Sequence, residues 1–349
     1  MGRLLVTLLL LAVAGSAGAA EVPVSRDAWT FSFYLENDLF ADTDEDYTNG
    51  VGLNWVSPDL SDFLEDPLLP AWVRQVNRHL TWLHGGRDEA LQRNLVISLG
   101  QKMFTPSDRY ATALIPDDRP YAGWLYLGFG YHVRDDQRLD SAELHLGTVG
   151  PASLAKEAQD LVHDLRGIDK FEGWDNQLGN EPGLQLILER KQRLAAHDLP
   201  LGLGWDLIGH AGLSLGNVAT YLNGGAEVRA GWHLPADFGT SSLRPGGNNS
   251  APGSATDPRL LDRPFGGLHA FLSTDVRLVA RDIFLDGNTF RDSPSVDKRN
   301  AVGEAAMGVS ALVYGFKFSF ARVFLTPEFE GESGTHSYGS VAVSYSRRF

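Results

Sequence analysis

The chain has no cysteine among its 349 residues, so disulfides and thiol chemistry are excluded. Cations are also short: 30 Lys and Arg stand against 44 Asp and Glu, a formal net charge of −14. Nucleic acid, which binds through a basic surface and released counterions, is therefore not an expected partner. Past residue 20 no stretch reaches the ~18 consecutive apolar residues of a membrane-spanning helix, and a helical membrane protein is ruled out. The one long apolar run lies at the start. Arg3, the run Leu4 to Val13 and the small residues Ala17-Gly18-Ala19 have the pattern of a cleavable secretory signal over residues 1–20. Residues 21–349 are then expected to form one exported domain.

What the domain does have is alternation. Over Ser340 to Phe349, Val341, Val343, Tyr345 and Phe349 share one parity while Ser340, Ala342, Ser344, Ser346 and Arg348 share the other; only Arg347 breaks the pattern. Trp29, Phe31, Phe33 and Leu35 alternate with Thr30, Ser32, Tyr34 and Glu36 in the same way, and Val51, Leu53 and Trp55 with Gly50, Gly52 and Asn54. Nine further spans, the first at 93–103 and the last at 315–326, bring the count to twelve with the terminal span, 337–349. Apolar-out, polar-in strands of ~9–11 residues and an even count predict an all-β fold, an antiparallel transmembrane β-barrel of about 12 strands. The 38 glycines suit a crowded inner wall.

An even count puts both termini on one side, expected to be periplasmic. Segments 57–92 and 233–264 fall there, the first with a short helix and the second, rich in Gly, Ser, Asn and Pro, expected to be mobile. Segments 38–46, 104–120, 150–180, 282–300 and 327–336 emerge on the outer face. One of them is strongly helical. Pro151 suits a first helical turn and Gly167 a left-handed stop, which predicts about four turns in an extracellular loop. Leu154, Ala158, Leu161 and Leu165 make an apolar stripe expected to dock on the barrel rim; Lys156, Gln159, His163 and Arg166 make a second stripe.

A histidine on such a helix is ordinarily a partly buried, hydrogen-bonded one. Here the topology brings Glu36-Asn37-Asp38, Asp46-Tyr47-Thr48-Asn49-Gly50 and Asp169 to the same rim. Loop acids are ordinarily just solvated. Asn37, however, shares the lipid-facing parity of Trp29 to Leu35, where a polar side chain costs desolvation unless something engages it. Asp38, Asp169 and backbone carbonyls offer the oxygen donors that a hard cation such as calcium takes.

Several ordered motifs carry a resemblance: Tyr34-Leu-Glu-Asn-Asp-Leu-Phe40, Asp46-Tyr-Thr-Asn-Gly50, Gly100-Gln-Lys-Met-Phe-Thr-Pro106, Asp117-Asp-Arg-Pro-Tyr-Ala-Gly-Trp124, Gly150-Pro-Ala-Ser153, and His163 followed by Gly173-Trp-Asp-Asn-Gln177. From about residue 28 to the carboxy-terminus the chain resembles the outer-membrane lipid A 3'-O-deacylase family (LpxR-type). The resemblance implies a barrel in the bacterial outer membrane whose outer-face helix forms one wall of a Ca2+-dependent esterase site for lipid A, the anchor of lipopolysaccharide. Carried over position by position, His163 is the general base, Asn37 and Thr48 are catalytic-site residues, and Asp38 and Asp169 are metal ligands. Family members can carry Glu where this chain has Asp169, and the shorter side chain must then reach the metal by closer backbone approach or through water. Gln101, Lys102 and Arg119 sit in family-like motifs and either contact phosphate or sugar or pair with the many carboxylates.

The implied chemistry is attack of water on the 3'-linked acyloxyacyl ester, with neutral His163 taking the proton, the metal stabilising the oxyanion, and Asn37 the candidate for fixing the imidazole tautomer. A serine-dependent barrel phospholipase needs a serine beside the base, and Ser153, ten residues before His163, points away from its stripe. A structural barrel or small pore, with the helix as a plug, is the non-enzymatic alternative.

Overall fold

Alternation of this kind satisfies every backbone polar group in hydrocarbon only if the sheet closes on itself. The computed structural model, which describes residues 28–37, 46–84, 91–240, 250–254, 256–261, 264–332 and 334–348, shows that closure. Twelve strands are present among the described residues: β1 (Ala28–Asn37), β2 (Asp46–Val56), β3 (Gln92–Thr105), β4 (Ala122–Arg134), β5 (Arg138–Val149), β6 (Glu181–Asp198), β7 (Leu203–Gly216), β8 (Ala219–Trp232), β9 (Phe265–Asp282), β10 (Ala301–Val313), β11 (Phe316–Leu325) and β12 (His336–Arg348). Each pairs antiparallel with its neighbours in sequence, and β1 pairs with β12. The expected signal at 1–20 lies outside the described residues.

The closing seam explains the terminal pattern. Thr30 pairs with Ser346 and Ser32 with Ser344, hydroxyl to hydroxyl at 2.9 Å on the inner face. On the outer face Phe31 pairs with Tyr345 and Phe33 with Val343, and Trp29 meets the Tyr345 ring edge-on at 5.8 Å. Exposed Ile97, Leu99, Leu127, Leu272, Val276 and Phe320 continue that apolar outer surface around the wall.

Among the described residues three α-helices interrupt the strands: α1 (Ala71–His79), α2 (Ala155–Arg166) and the single turn α3 (Ile283–Asp286). As expected, α1 lies between β2 and β3, at the barrel end that carries the termini; α2 lies at the opposite end, between β5 and β6. Proline at 151 opens only a 3-10 turn, Pro151–Ser153. Leu154 then adopts a left-handed conformation (φ 58°), and the α-helix proper begins at Ala155, shorter than the four turns expected. Gly167 ends it in the predicted left-handed conformation (φ 66°).

Of segment 233–264, expected to be mobile, residues 241–249, 255, 262 and 263 lie outside the described residues; the described part closes the terminal end of the lumen. Asp237 receives hydrogen bonds from Arg229 and Lys317, the latter at 2.8 Å, and faces Arg259 at 3.2 Å, all four side chains buried. Asp257 grips Arg259 through both carboxylate oxygens, at 2.8 and 2.7 Å, and Arg134 donates to the Ala251 carbonyl at 2.7 Å. Burial alone pushes the Asp237 carboxyl pKa up, but Lys317, Arg229 and Arg259 outweigh it and hold the group well below the usual carboxylate range. The turn-rich composition of this segment gave no sign of the pairing of Asp237 with Arg229 and Lys317, because those partners lie on β8 and β11.

Replacing Asp237 with Asn leaves buried cations without their counter-charge, a loss of about 3–5 kcal/mol. In urea unfolding of the folded barrel, Asp237→Asn is expected to lower the midpoint. A carboxyl whose folded pKa is depressed stabilises fully above its unfolded pKa, about 4, and loses that contribution as the pH falls toward the depressed value. The gap between wild type and variant is therefore constant from about pH 5 to pH 8 and narrows only in stronger acid.

Candidate active site on the outer wall of the barrel

Strand register lines up one row of outward residues near the rim that carries α2. Asn37 on β1 pairs with Asn49 on β2, Asn49 with Met103 on β3, and Met103 with Gly123 on β4. Outward residues deeper on β3 and β4, such as Ile97, Leu99 and Leu127, are exposed, whereas Asn37, Asn49 and Met103 are buried. The difference at Met103 and Gly123 is α2, which lies on the outside of the wall. A β-carbon on Gly123 would sit 2.2 Å from Ser153 Oγ and 2.3 Å from the Ala155 β-carbon, so only glycine lets the helix approach this closely. Gln101, one pleat below Met103, donates its amide to the Ser153 carbonyl at 2.6 Å and ties the start of the helix to the wall.

The face that docks is not the leucine stripe. Ala155, Gln159 and His163 are buried, while Leu154, Leu161 and Leu165 are exposed. The floor beneath is largely aromatic: Tyr121, Phe171 and Trp174, with Met103 beside them, pack with Ala155 and Ala158. Small alanines fit over these rings, and the two polar side chains find partners there. Trp174 Nε1 donates to Gln159 Oε1 at 2.8 Å, which fixes the orientation of that amide and leaves Gln159 Nε2 buried with no hydrogen-bond partner among the described residues.

His163 is held by the loop that follows its helix. The left-handed turn at Gly167 bends the chain back, Ile168 N donates to the His163 carbonyl at 3.0 Å, and the His163 ring meets Phe171 edge-on at 5.8 Å. His163 Nδ1 lies 2.7 Å from the Asp169 carbonyl oxygen. A carbonyl only accepts, so Nδ1 carries the proton and Nε2 of the neutral ring carries the lone pair. A backbone atom, and not the Asn37 side chain, thus sets the tautomer.

The Asp169 side chain is separate from that contact. Its Oδ2 accepts from the Tyr110 hydroxyl at 2.7 Å, and this hydrogen bond pushes the Tyr110 pKa up. Loop 106–121 braces the site elsewhere too: Glu172 N donates to the Arg109 carbonyl at 2.8 Å, and the Arg109 guanidinium lies over Phe171 at 5.6 Å. Burial raises the pKa of Tyr121, beneath α2, to about 12, so it stays a neutral phenol.

Strand parity separates the remaining candidates. Lys102 faces the lumen, into a cleft lined by Lys102, Glu36, Arg277, Glu304 and Glu328 among others. Arg119 lines the same cleft, pairs with Glu328 at 2.8 Å and lies over Phe104 and Phe329 at 5.3 and 5.8 Å. The structure therefore places neither cation on the wall that carries His163, and it gives Gln101 the task of anchoring the helix. Asp38 lies outside the described residues, as does the Thr48 side chain. Ser153 Oγ is buried against Gly123 with no hydrogen-bond partner among the described residues, and the hydrogen bond of the His163 ring goes to Asp169, so Ser153 is not paired with His163 as a serine-dependent route requires.

Sequence reasoning missed three residues here: Asn49, whose Oδ1 is buried without a hydrogen-bond partner among the described residues, Gln159 and Tyr110. Asn49 sits inside the quoted Asp46–Gly50 motif and Gln159 one turn before His163, so both carried a signal. Tyr110 carried none.

The family model described as "Outer membrane protein LpxR" matches residues 4–347. Among solved structures, LpxR from Salmonella typhimurium has a TM-score of 0.69 at 19% identity, covering 90% of this chain and 99% of that one. The β domain of the Bordetella autotransporter BrkA reaches 0.41 at 12% identity, covering 91% and 98%. No protein of curated function matches by sequence.

Gly123→Val fills the space taken by Ser153 and Ala155, an overpacking cost of about 1–3 kcal/mol. The helix is expected to lift, with faster tryptic cleavage at Arg166 and Lys170, while the barrel keeps its heat-modifiable gel mobility.

Proposed function

The chain belongs to the LpxR family of outer membrane proteins, and from that membership we propose that it hydrolyses the 3'-linked acyloxyacyl ester of lipid A, with the α2 rim facing the cell exterior. The observation that carries this reading is the position of His163: on the lipid side of the wall, with Nδ1 donating to the Asp169 carbonyl and Nε2 left as a base. A lipid ester reaches such a base sideways, from the leaflet.

His163 Nε2 takes a proton from water as the water oxygen bonds to the acyl carbon. The ester C–O bond then breaks, and the proton on Nε2 passes to the sugar oxygen that leaves. The products are the free acyloxyacyl acid and lipid A with a 3'-hydroxyl. The Asp169 carbonyl holds the ring in one tautomer throughout and stabilises its cationic form. Asn37, whose register partner Asn49 follows Thr48 in sequence, holds the acyl group against the wall in this reading.

A calcium ion suits the oxygen donors present. Asp169 is exposed, and only its Oδ2 is engaged, by the Tyr110 hydroxyl, which leaves one hard oxygen on the loop that holds His163; Asp38 would be the second carboxylate. Among the described residues no group of three or more His, Cys, Asp or Glu gathers to hold a metal, consistent with a site completed by Asp38, carbonyls and water. Bound there, calcium would supply positive charge to the ester oxygen.

Lipid A from cells making the wild type is expected to lose the mass of one acyloxyacyl unit, and His163→Ala to slow release by roughly 10²–10⁴. Unchanged lipid A in the wild-type cells overturns the reading. Chelation with EGTA is expected to stop release by the purified protein, and added Ca2+ to restore it. Asp169→Ala keeps the carbonyl that orients His163, so it is expected to raise the Ca2+ concentration required while leaving the rate at saturating Ca2+ closer to wild type than His163→Ala does.

A further inference from the structure

Both α1 and α2 lie on the outside of the wall, on the same strands and at opposite ends. The segment containing α1 covers Leu95, Tyr131 and Val133, all outward residues of β3 and β4. Asn77 of α1 pins it there, donating to the Phe63 carbonyl at 2.5 Å and accepting from the Tyr131 hydroxyl at 2.8 Å. At the other end α2 covers Met103 and Gly123.

The distance between the two covers is short. Leu95 and Met103 are eight residues apart on β3, which spans about 20 Å along the membrane normal for a strand tilted by roughly 40°, less than the ~25 Å apolar band of an outer-membrane barrel. Between them only Ile97 and Leu99 of the outward residues of β3 are exposed, since Gln101 is already engaged by the start of α2. The helices therefore fall within the height of the band, and whatever they turn away from the wall faces lipid or its headgroup region.

Each helix has three faces at roughly 100° per residue. On α1, Val73 and Asn77 face the wall, Trp72 and Val76 share the next flank, and Arg74 and Arg78 share the third. Trp72 is 68% exposed, and Trp82, just beyond the helix, is 64% exposed. On α2, Ala155, Gln159 and His163 face the wall, Leu161 (59% exposed) and Leu165 (78%) share one flank with Leu154, and Lys156, Asp160 and Asp164 share the other. Gln101 holds Ser153, the residue before Leu154, and the next outward residues down the same strands are the exposed Leu99 and its partner Leu127. The leucine flank thus continues the lipid-facing wall. Tryptophan at the terminal end has the chemistry of a membrane interface.

We propose that α1 and α2 are membrane-seated shoulders: the Trp72 and Val76 flank of α1 and the Leu161 and Leu165 flank of α2 lie among the acyl chains of opposite leaflets, each with its charged flank turned to water. The inference rests on the barrel crossing a membrane and not on the reaction assigned to it.

Because the chain has no cysteine, single cysteines report cleanly. The full chain is reconstituted in phospholipid vesicles with an environment-sensitive fluorophore (NBD) at Trp72→Cys, Leu161→Cys, Arg78→Cys or Asp164→Cys, one at a time. Probes at 72 and 161 are expected to emit at shorter wavelength and to be quenched by nitroxide-labelled lipid; probes at 78 and 164 are expected to be quenched by aqueous iodide. Equal iodide quenching at the two positions of one helix overturns the proposal for that helix. So does a shift at 72 or 161 that grows with the protein-to-lipid ratio and is insensitive to nitroxide lipid, since a second copy then covers the flank. None of these readings depends on ester hydrolysis.

Discussion

No main-chain N–H or C=O can go unpaired in hydrocarbon, and the pairing of β1 with β12 is what meets that condition here. Residue 28 must find residue 348 before the sheet has no edge. The seam that joins them is lined inside by Thr30, Ser32, Ser344 and Ser346, whose small hydroxyls bond one another and leave room in the lumen. Once the wall is closed its backbone needs nothing from outside, so other elements can lie on either surface through side chains alone. Asp237 and its cations fill one mouth from within. α2 lies on the outer surface at the other end, made possible by the missing β-carbon of Gly123.

That arrangement gives the candidate base two unlike neighbourhoods. The aromatic floor of Phe171 and Trp174 excludes water below the helix, while the return loop delivers a single polar contact, the Asp169 carbonyl, to His163 Nδ1. The partition of Asp169 is informative. Its backbone orients the imidazole, and its side chain, engaged with Tyr110 through one oxygen only, belongs to the surface of the site.

The barrel was legible because strand parity is a local signal that repeats: β12 could be read from Ser340 to Phe349 without knowing its partners, and Asn37 stood out as a polar residue of outward parity. The same parity places Lys102 inside and Gln101 outside, a distinction available from Gly100-Gln-Lys-Met-Phe104 once the strand is granted. The docking face of α2 was not legible. Periodicity finds an apolar stripe but does not say whether protein or lipid covers it, and in a membrane the most apolar stripe need not be the buried one. The pairing of Asp237 with Lys317 joins residues 80 apart in the chain, and the Tyr110–Asp169 contact joins two loops; neither leaves a trace in spacing.

The outward position of His163 also sets the dimensionality of any encounter with it. A base inside the lumen would meet ligands from bulk solution, at a frequency proportional to their volume concentration. A group on the lateral wall meets molecules that diffuse in the plane of the leaflet, at a frequency set by their surface density and the fluidity of their neighbours. The lumen, on the other side of the wall, is packed at its terminal mouth with salt bridges.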